Sequence, residues 1–313
     1  MEEIPVYLFL GFLEAGKTRF IQETLEDPRF NSGERTLLLL CEEGEAEYDP
    51  TTFAADAVQV ELVEAEAQLT PDYLEKLVEK TGAQRVLVEY NGMWMLDSLL
   101  NAMPGNWVIY QTMLFADANT FSQYDRNMRS LVGDKLKPAE VVVFNRMRRD
   151  MDKMPLHQIV RSVTRKAMIV YEYPDGTTEE DTIVDPLPFD IDAPVVEIGD
   201  DAYAHWYRDM MEEPGKYPGK TVRFTGLVVL SDKLPKGFVI IGRHVMTCCE
   251  ADISFCGMLC RWKGRLPSGG GWAVLTATIS MEYSPVYKRE GPVLTMQSAK
   301  PAKAPNPKVA TFY

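Results

Sequence analysis

The sequence predicts a doubly wound, mostly parallel α/β sheet followed by a small β-barrel of OB-like form. Three observations lead there. The apolar run Val6-Tyr7-Leu8-Phe9-Leu10 enters Gly11-Phe12-Leu13-Glu14-Ala15-Gly16-Lys17-Thr18, the G-x-x-x-x-G-K-T spacing of a phosphate-binding loop between a strand and a helix. Further short apolar runs then alternate with helical patterns as far as Tyr171, the rhythm of parallel strands with crossover helices. From Lys220 the period changes to two, with glycine-rich turns between runs.

The loop carries its own chemistry. Glycines let backbone N–H groups turn inward around phosphate oxygens, the lysine reaches the terminal phosphates and the threonine hydroxyl ligates Mg²⁺. A helix beginning near Lys17 points its positive end at the same anion. Arg19 to Leu25 gives that helix one apolar stripe, ending near Asp27-Pro28. Thr36-Leu37-Leu38-Leu39-Leu40 fits a strand buried on both faces. At its carboxyl end, where open α/β sheets place ligands, stands Cys41-Glu42-Glu43-Gly44-Glu45, whose carboxylates suit either a Mg²⁺ site or a solvated turn.

Leu69 to Lys80 is a predicted helix opened by Thr70-Pro71-Asp72, and Arg85-Val86-Leu87-Val88-Glu89 the next strand. Glu89, an acid at a strand tip before Tyr90-Asn91-Gly92, stands where a Mg²⁺-binding or water-positioning group is needed. Val108 to Phe115, Glu140 to Phe144 and Ala167 to Tyr171 complete the predicted sheet, the second of these ending at Asn145. Residues 172–197, acidic and then proline-rich, are expected as a linker. Asp200 to Glu213 has helical spacing of Tyr203, Trp206, Tyr207 and Met210, and stops at Pro214-Gly215. Strands follow at 221–229, 237–242 and 272–279, and the tail from Ala299 to Pro307 is expected to be extended. The expected organisation is a nucleotide-binding domain at 1–171, a linker at 172–197, and a helix with a β-barrel at 198–313.

Composition bounds the function classes. The 313 residues, 46% hydrophobic with a mean hydropathy of −0.18, describe a globular chain with room for two domains. No apolar run approaches the roughly 20 residues that span a bilayer. The start Met1-Glu2-Glu3 lacks a basic leader region, which predicts a cytoplasmic protein. A net charge of −13 argues against nucleic-acid partners. The charge is uneven: residues 1–200 carry 37 acidic and 18 basic side chains, residues 201–313 only 9 and 15, which supports a boundary near 200.

Residues 1 to about 171 resemble the CobW-like GTPases. That family's opening G-F-L-G-S/A-G-K-T matches Gly11 to Thr18, its N-E-F-G resembles Cys41-Glu42-Glu43-Gly44, its E-S/T-S/T-G resembles Glu89-Tyr90-Asn91-Gly92, and its N-K-x-D falls on Asn145-Arg146-Met147-Arg148. The resemblance implies a GTPase fold and a role in metal delivery or metallo-cofactor assembly, with a metalloprotein client. It implies that Gly11, Glu14, Ala15, Gly16, Lys17, Thr18 and Asn145 bind GTP or another nucleoside triphosphate. It further implies that Thr18, Glu42 and Glu89 hold Mg²⁺, and that Lys17 and Glu89 act in slow hydrolysis. Three positions depart from the family. Glu14 replaces a small residue, so that it either weakens phosphate binding or turns outward. Arg148 stands where an aspartate would accept hydrogen bonds from guanine, and arginine has no acceptor. No cysteine occurs from Glu42 to Thr247, where the family places C-x-C-C. Glu14 and Arg148 favour an alternative in which the loop belongs to a catalytically degenerate binding module.

Residues from roughly 196 to 313 resemble the C-terminal domain of YcgQ-type membrane proteins of unknown function, through Arg243-His244-Val245-Met246-Thr247-Cys248-Cys249-Glu250-Ala251-Asp252, preceded by Tyr217-Pro218-Gly219-Lys220. Because such relatives accompany permeases, the resemblance implies a membrane permease as partner. His244, Cys248, Cys249 and Asp252, with Cys256 and Cys260 close by, are the residue types that ligate Zn²⁺, yet neighbours on a strand face opposite ways, and the same cysteines also suit small buried hydrophobes. His157 and His205 have no ligand spacing and are expected on the surface or in packing.

Overall fold

The computed structural model describes residues 3–30, 33–54, 57–247, 250–264 and 271–312. It divides into two compact units, Met1–Ile183 and Val184–Tyr313.

In the first unit the strands are β1 (Ile4–Leu10), β2 (Thr36–Leu40), β3 (Val58–Leu62), β4 (Arg85–Glu89), β5 (Trp107–Asp117), β6 (Val141–Asn145), β7 (Met168–Glu172) and β8 (Thr178–Glu180). They pair in the order β3-β2-β4-β1-β5-β6-β7-β8, all parallel except β7 with β8. This is the predicted α/β class. The two strands flanking β1 are β4 and β5, so the phosphate-loop motif leaves the sheet at its centre, where the strand order reverses. Because the strands run the same way, Cys41, Glu89, Asp117, Asn145 and Glu172 all arrive at one edge.

The two faces of the sheet are covered unequally. On one face α2 (Pro71–Thr81), α3 (Leu96–Ala102), α4 (Phe121–Asn127), α5 (Arg129–Leu136) and α6 (Met154–Val163) bury Leu74, Leu99, Phe121, Leu136 and Val160 against Val86, Val88, Val142 and Phe144. On the other, only α1 (Lys17–Glu26) contributes buried helical side chains among the described residues. Its Ile21 and Leu25 meet Phe9, Leu38, Leu87, Phe115 and Val143.

Two expectations change. Strand β3 goes unread in the sequence because Val58-Gln59-Val60-Glu61-Leu62 lies at an edge and buries none of its side chains. The expected linker is divided: Thr178–Glu180 adds β8 to the first sheet, and Val196–Glu197 forms β9, which pairs in the second unit. Asp181, just after β8, is held in the first unit by a 2.6 Å contact with His157 Nδ1 and a 2.8 Å hydrogen bond from the Tyr171 hydroxyl. His157 is 1% exposed, so it is a buried partner of a carboxylate and not a surface residue.

The second unit adds α7 (Tyr203–Glu212), β10 (Thr221–Val229), β11 (Phe238–Val245), β12 (Ser254–Arg261), β13 (Gly271–Ser284) and β14 (Arg289–Pro301). Its six-stranded sheet runs β11-β12-β14-β13-β10-β9, and β11 also pairs with β10, so β10 to β14 close on themselves. The interior holds Phe224, Ile241, Met258, Leu275 and Leu294 together with Tyr203, Trp206 and Met210 of α7. The Arg243 guanidinium is 1% exposed, donates to the backbone carbonyls of Asp200 (2.8 Å) and Pro307 (2.9 Å), and pairs with the Asp200 carboxylate at 3.1 Å. The expected extended tail begins inside β14 and continues past Pro301 outside any strand.

Closure depends on Gly242, where a Cβ would lie 2.2 Å from the Cys256 carbonyl oxygen. Gly242→Ala is expected to destabilise the second unit by about 1–3 kcal/mol, the usual cost of overpacking. Urea unfolding followed by tryptophan fluorescence measures it, and an unchanged midpoint would remove this reading of the ring.

Candidate functional site

The loop between β1 and α1 has glycines where nothing else fits. Gly11 has φ +140°, and a Cβ there would lie 2.3 Å from the Phe115 carbonyl oxygen. Gly16 has φ +92°, and a Cβ would come within 2.6 Å of Asn145 Nδ2. Between them Glu14 takes φ +57°, the left-handed region that costs a side-chain-bearing residue roughly 1–2 kcal/mol. Its side chain is exposed, and Glu14 also lines a cavity beside the loop together with Lys17 and Thr18.

Lys17, the first residue of α1, is 2% exposed. A buried ammonium must find acceptors, and its Nζ donates to the carbonyls of Gly11 (2.8 Å) and Phe12 (3.0 Å) and to Glu42 Oε2 (2.5 Å). Glu42 Oε1 in turn accepts the Gly92 N–H at 3.3 Å. Gly92 allows this approach, since a Cβ there would sit 2.7 Å from Phe12 Cα.

The neighbouring Thr18 Oγ1 donates to Glu89 Oε1 at 2.8 Å, and the Tyr48 hydroxyl donates to Glu89 Oε2. Glu89 is 3% exposed; burial raises its pKa against the opposing pull of the Tyr48 and Thr18 hydroxyls and the Lys17 charge. Burial, reinforced by Glu89 and Glu42, pushes the Cys41 thiol up to about 12, which keeps it protonated and chemically quiet. The loop carrying Tyr48 is clipped to α1: Gln22 accepts the Asp49 N–H (3.1 Å) and donates to the Asp49 carbonyl (3.2 Å), while the Ala54 N–H bonds the Leu25 carbonyl (2.9 Å). Tyr48 is a site residue that spacing does not reveal, because a tyrosine in an acidic loop matches no motif.

On the other side of the loop Asn145 Nδ2 donates to the Ala15 carbonyl at 2.6 Å, and its Oδ1 is buried with no hydrogen-bond partner. Arg146, at φ +55°, pairs with Asp117 (2.8 Å) and donates to the Glu14 carbonyl (3.0 Å). Arg148 donates to Asn119 Oδ1 at 3.0 Å and pairs with Asp150. The structure thus brings together Gly11 to Thr18, Glu42, Glu89 and Asn145. Among the described residues three cavities adjoin the loop: one of about 280 Å³ lined by Lys17, Thr18, Glu42, Glu89 and Arg146, one of about 650 Å³ reached past Gly16 and Asn145, and one of about 250 Å³ between Phe12 to Ala15 on one side and Asp117 and Tyr124 on the other.

Of the four suggested Zn²⁺ ligands, only His244 and Asp252 lie among the described residues. His244 is exposed with its ring 5.2 Å from that of Phe255, and Asp252 Oδ1 accepts the Thr247 N–H at 3.0 Å. Cys248 and Cys249 lie outside the described residues. Cys260 is buried, its thiol raised to about 12 by burial. Among the described residues no three His, Cys, Asp or Glu side chains form a metal-binding group. Nor, among them, is any helix long and apolar enough to cross a membrane.

Comparison with known proteins bears on both units. Residues 178–309 match the family described as the DUF1980 C-terminal domain. Solved structures similar to this chain include hydrogenase maturation factor HypB from Archaeoglobus fulgidus, at 13% identity over 55% of this chain and 82% of that one, with a TM-score of 0.39. Zn(II)-bound YjiA GTPase from E. coli is 15% identical over 77% and 86%, with a TM-score of 0.43. A Zn(II)-bound triple mutant of YjiA GTPase is 16% identical over 77% and 86%, with a TM-score of 0.44. None of the curated proteins matches.

The raised pKa of Glu89 has a measurable consequence. An acid whose pKa rises on folding stabilises the folded state below its unfolded value, near 4.5, and that contribution is lost as pH climbs through the folded value. In ligand-free protein Glu89→Gln is therefore expected to raise the thermal midpoint at pH 7, with the gap closing as pH falls toward 4.5. A variant less stable than the parent at pH 7 would contradict the ionisation assigned to Glu89.

Proposed function

We propose that this chain is a cytoplasmic nucleotide-binding protein of the CobW-like GTPase class. In this reading it hydrolyses a nucleoside triphosphate slowly to drive a conformational change in metal or metallo-cofactor handling, and its second unit is an OB-like barrel that docks a membrane permease or a metalloprotein client. The observation that carries the reading is the position of Lys17 and the Thr18–Glu89 pair at the N-terminus of α1, beside the cavity of about 280 Å³.

The residues fit Mg²⁺. Hydroxyl and carboxylate oxygens are the hard donors it takes, and Thr18 and Glu89 bring one of each together at the start of α1. Thr18, Glu42 and Glu89 would hold the ion, which supplies positive charge to the β- and γ-phosphate oxygens. Lys17 exchanges the Glu42 carboxylate and the two loop carbonyls for phosphate oxygens. The first amides of α1, which have no carbonyl one turn earlier to bond, face the same anion. Glu89 orients the attacking water, with Tyr48 fixing the rotation of its carboxylate.

A second reading, a degenerate P-loop binding module, is favoured by the Lys17–Glu42 ion pair, which already satisfies the phosphate-binding lysine, and by Arg148, which turns to Asn119 and Asp150. Titration with labelled GTP and ATP, with and without Mg²⁺, followed by a phosphate-release assay, separates the two. In the GTPase reading Lys17→Ala weakens Mg²⁺-nucleotide binding by about 1.5–3 kcal/mol, the worth of a charged hydrogen bond, and abolishes turnover. Equal affinity of parent and variant would sink the GTPase assignment; no binding by the parent at millimolar nucleotide would leave the module.

A further inference from the structure

We infer that Glu172, and not the residue at the Arg148 position, supplies the acceptor that reads the nucleotide base, and that the base is guanine. This inference rests on the nucleotide-binding reading above.

Sheet alternation places the residues. Along β6, Val142 and Phe144 face the helix-covered side, while Val141 and Val143 face the α1 side, so Asn145 falls on the α1 side. Along β7, Ile169 and Tyr171 belong to the helix-covered core, which places Glu172 on the α1 side too. The parallel register pairs Phe144 with Tyr171, making Asn145 and Glu172 direct neighbours at the tips of adjacent strands. The loops beyond are tied together by the hydrogen bond from the Met147 N–H to the Glu172 carbonyl, 3.0 Å.

Both side chains line the cavity of about 650 Å³, which opens beside Gly16 of the phosphate loop and has Arg19, Glu23, Arg146 and Tyr173 on its walls. Arg19 is paired with Glu23 at 2.8 Å and also lies near enough to Glu172 for their charges to attract, and Arg146 is paired with Asp117. The Asn145 amide is oriented by chemistry: the Ala15 carbonyl only accepts, so Nδ2 faces it and Oδ1 remains as a buried, unpartnered acceptor. With Glu172 on the neighbouring strand tip, the cavity is lined by two residues that can accept hydrogen bonds.

Guanine is the complementary purine, since its N1–H and 2-amino group are adjacent donors. Adenine offers a single amino group next to a ring nitrogen whose lone pair a carboxylate would repel. The arrangement restores, from the tip of β7, the acceptor lost where Arg148 replaces the family's aspartate.

The test is competition against a fluorescent guanine nucleotide in Mg²⁺, using GTP, ITP, XTP, ATP and inorganic tripolyphosphate on the parent, Glu172→Gln and Arg148→Ala. Glutamine keeps the shape of Glu172 but adds a donor, which suits the 2-oxo group of xanthine. The parent should favour GTP over ITP and ATP by about tenfold or more, the worth of one charged hydrogen bond. Glu172→Gln should lose that preference and gain affinity for XTP, Arg148→Ala should keep it, and tripolyphosphate should bind all three alike. Tripolyphosphate binding with an unaltered base preference in Glu172→Gln, or a parent that prefers ATP, would overturn the inference alone. A parent that binds neither tripolyphosphate nor any nucleotide would overturn it together with the nucleotide-binding reading.

Discussion

A positive charge almost wholly removed from solvent dictates the form of the loop around it. With 2% of its surface exposed, Lys17 is held by two carbonyls and one carboxylate from two segments: Gly11 and Phe12 after β1, and Glu42 after β2. Glu42 then reaches the Gly92 amide after β4. Three strand tips are thus linked through a single ammonium, because a charge taken from water leaves little tolerance for a missing partner. The tight glycine contacts at Gly11 and Gly92 follow from the same demand, since the backbone must come close enough for its carbonyls and amides to meet these side chains.

The unequal covering of the sheet sets where chemistry is possible. The face packed by five helices is a continuous core of aliphatic and aromatic side chains. The face covered by α1 and the clipped loop leaves β5, β6 and β7 partly open, and the cavity of about 650 Å³ lies along it, lined by Met113, Val141, Val143 and Val170. The polar residues that end the strands emerge on that side because alternation puts Asn145 and Glu172 there, while their neighbours Phe144 and Tyr171 are committed to the core.

Much of this was legible in the sequence, for identifiable reasons. Strands β2 and β4 are buried on both faces, so their leucine and valine runs announce them, and the phosphate loop fixes the centre of the sheet. Thr18, Glu42, Glu89 and Asn145 were found because parallel strands bring their tips to one edge. What escaped depends on contacts between distant segments. Tyr48 reaches Glu89 across 41 positions, and Asp181 reaches His157 across 24, and neither pair has a local pattern. Strand β3 escaped because an edge strand with exposed side chains has no strong pattern of burial. The cysteine-bearing stretch suggested ligands, but β12 uses Cys260 as a small interior side chain, and its residues are spaced by strand pleating.

Strand β8 has a significance beyond its length. A parallel sheet that ended at β7 would expose a row of unpaired amides and carbonyls, an open template on which another chain could build. Three residues, Thr178, Glu179 and Glu180, cover that row by running antiparallel, and the side chains they show to solvent include two carboxylates. Glu179 is paired with Lys153 at 2.7 Å and accepts from the Tyr173 hydroxyl, while Glu180 is exposed at the strand end. A short, acidic edge of this kind is one way a sheet discourages pairing with another chain.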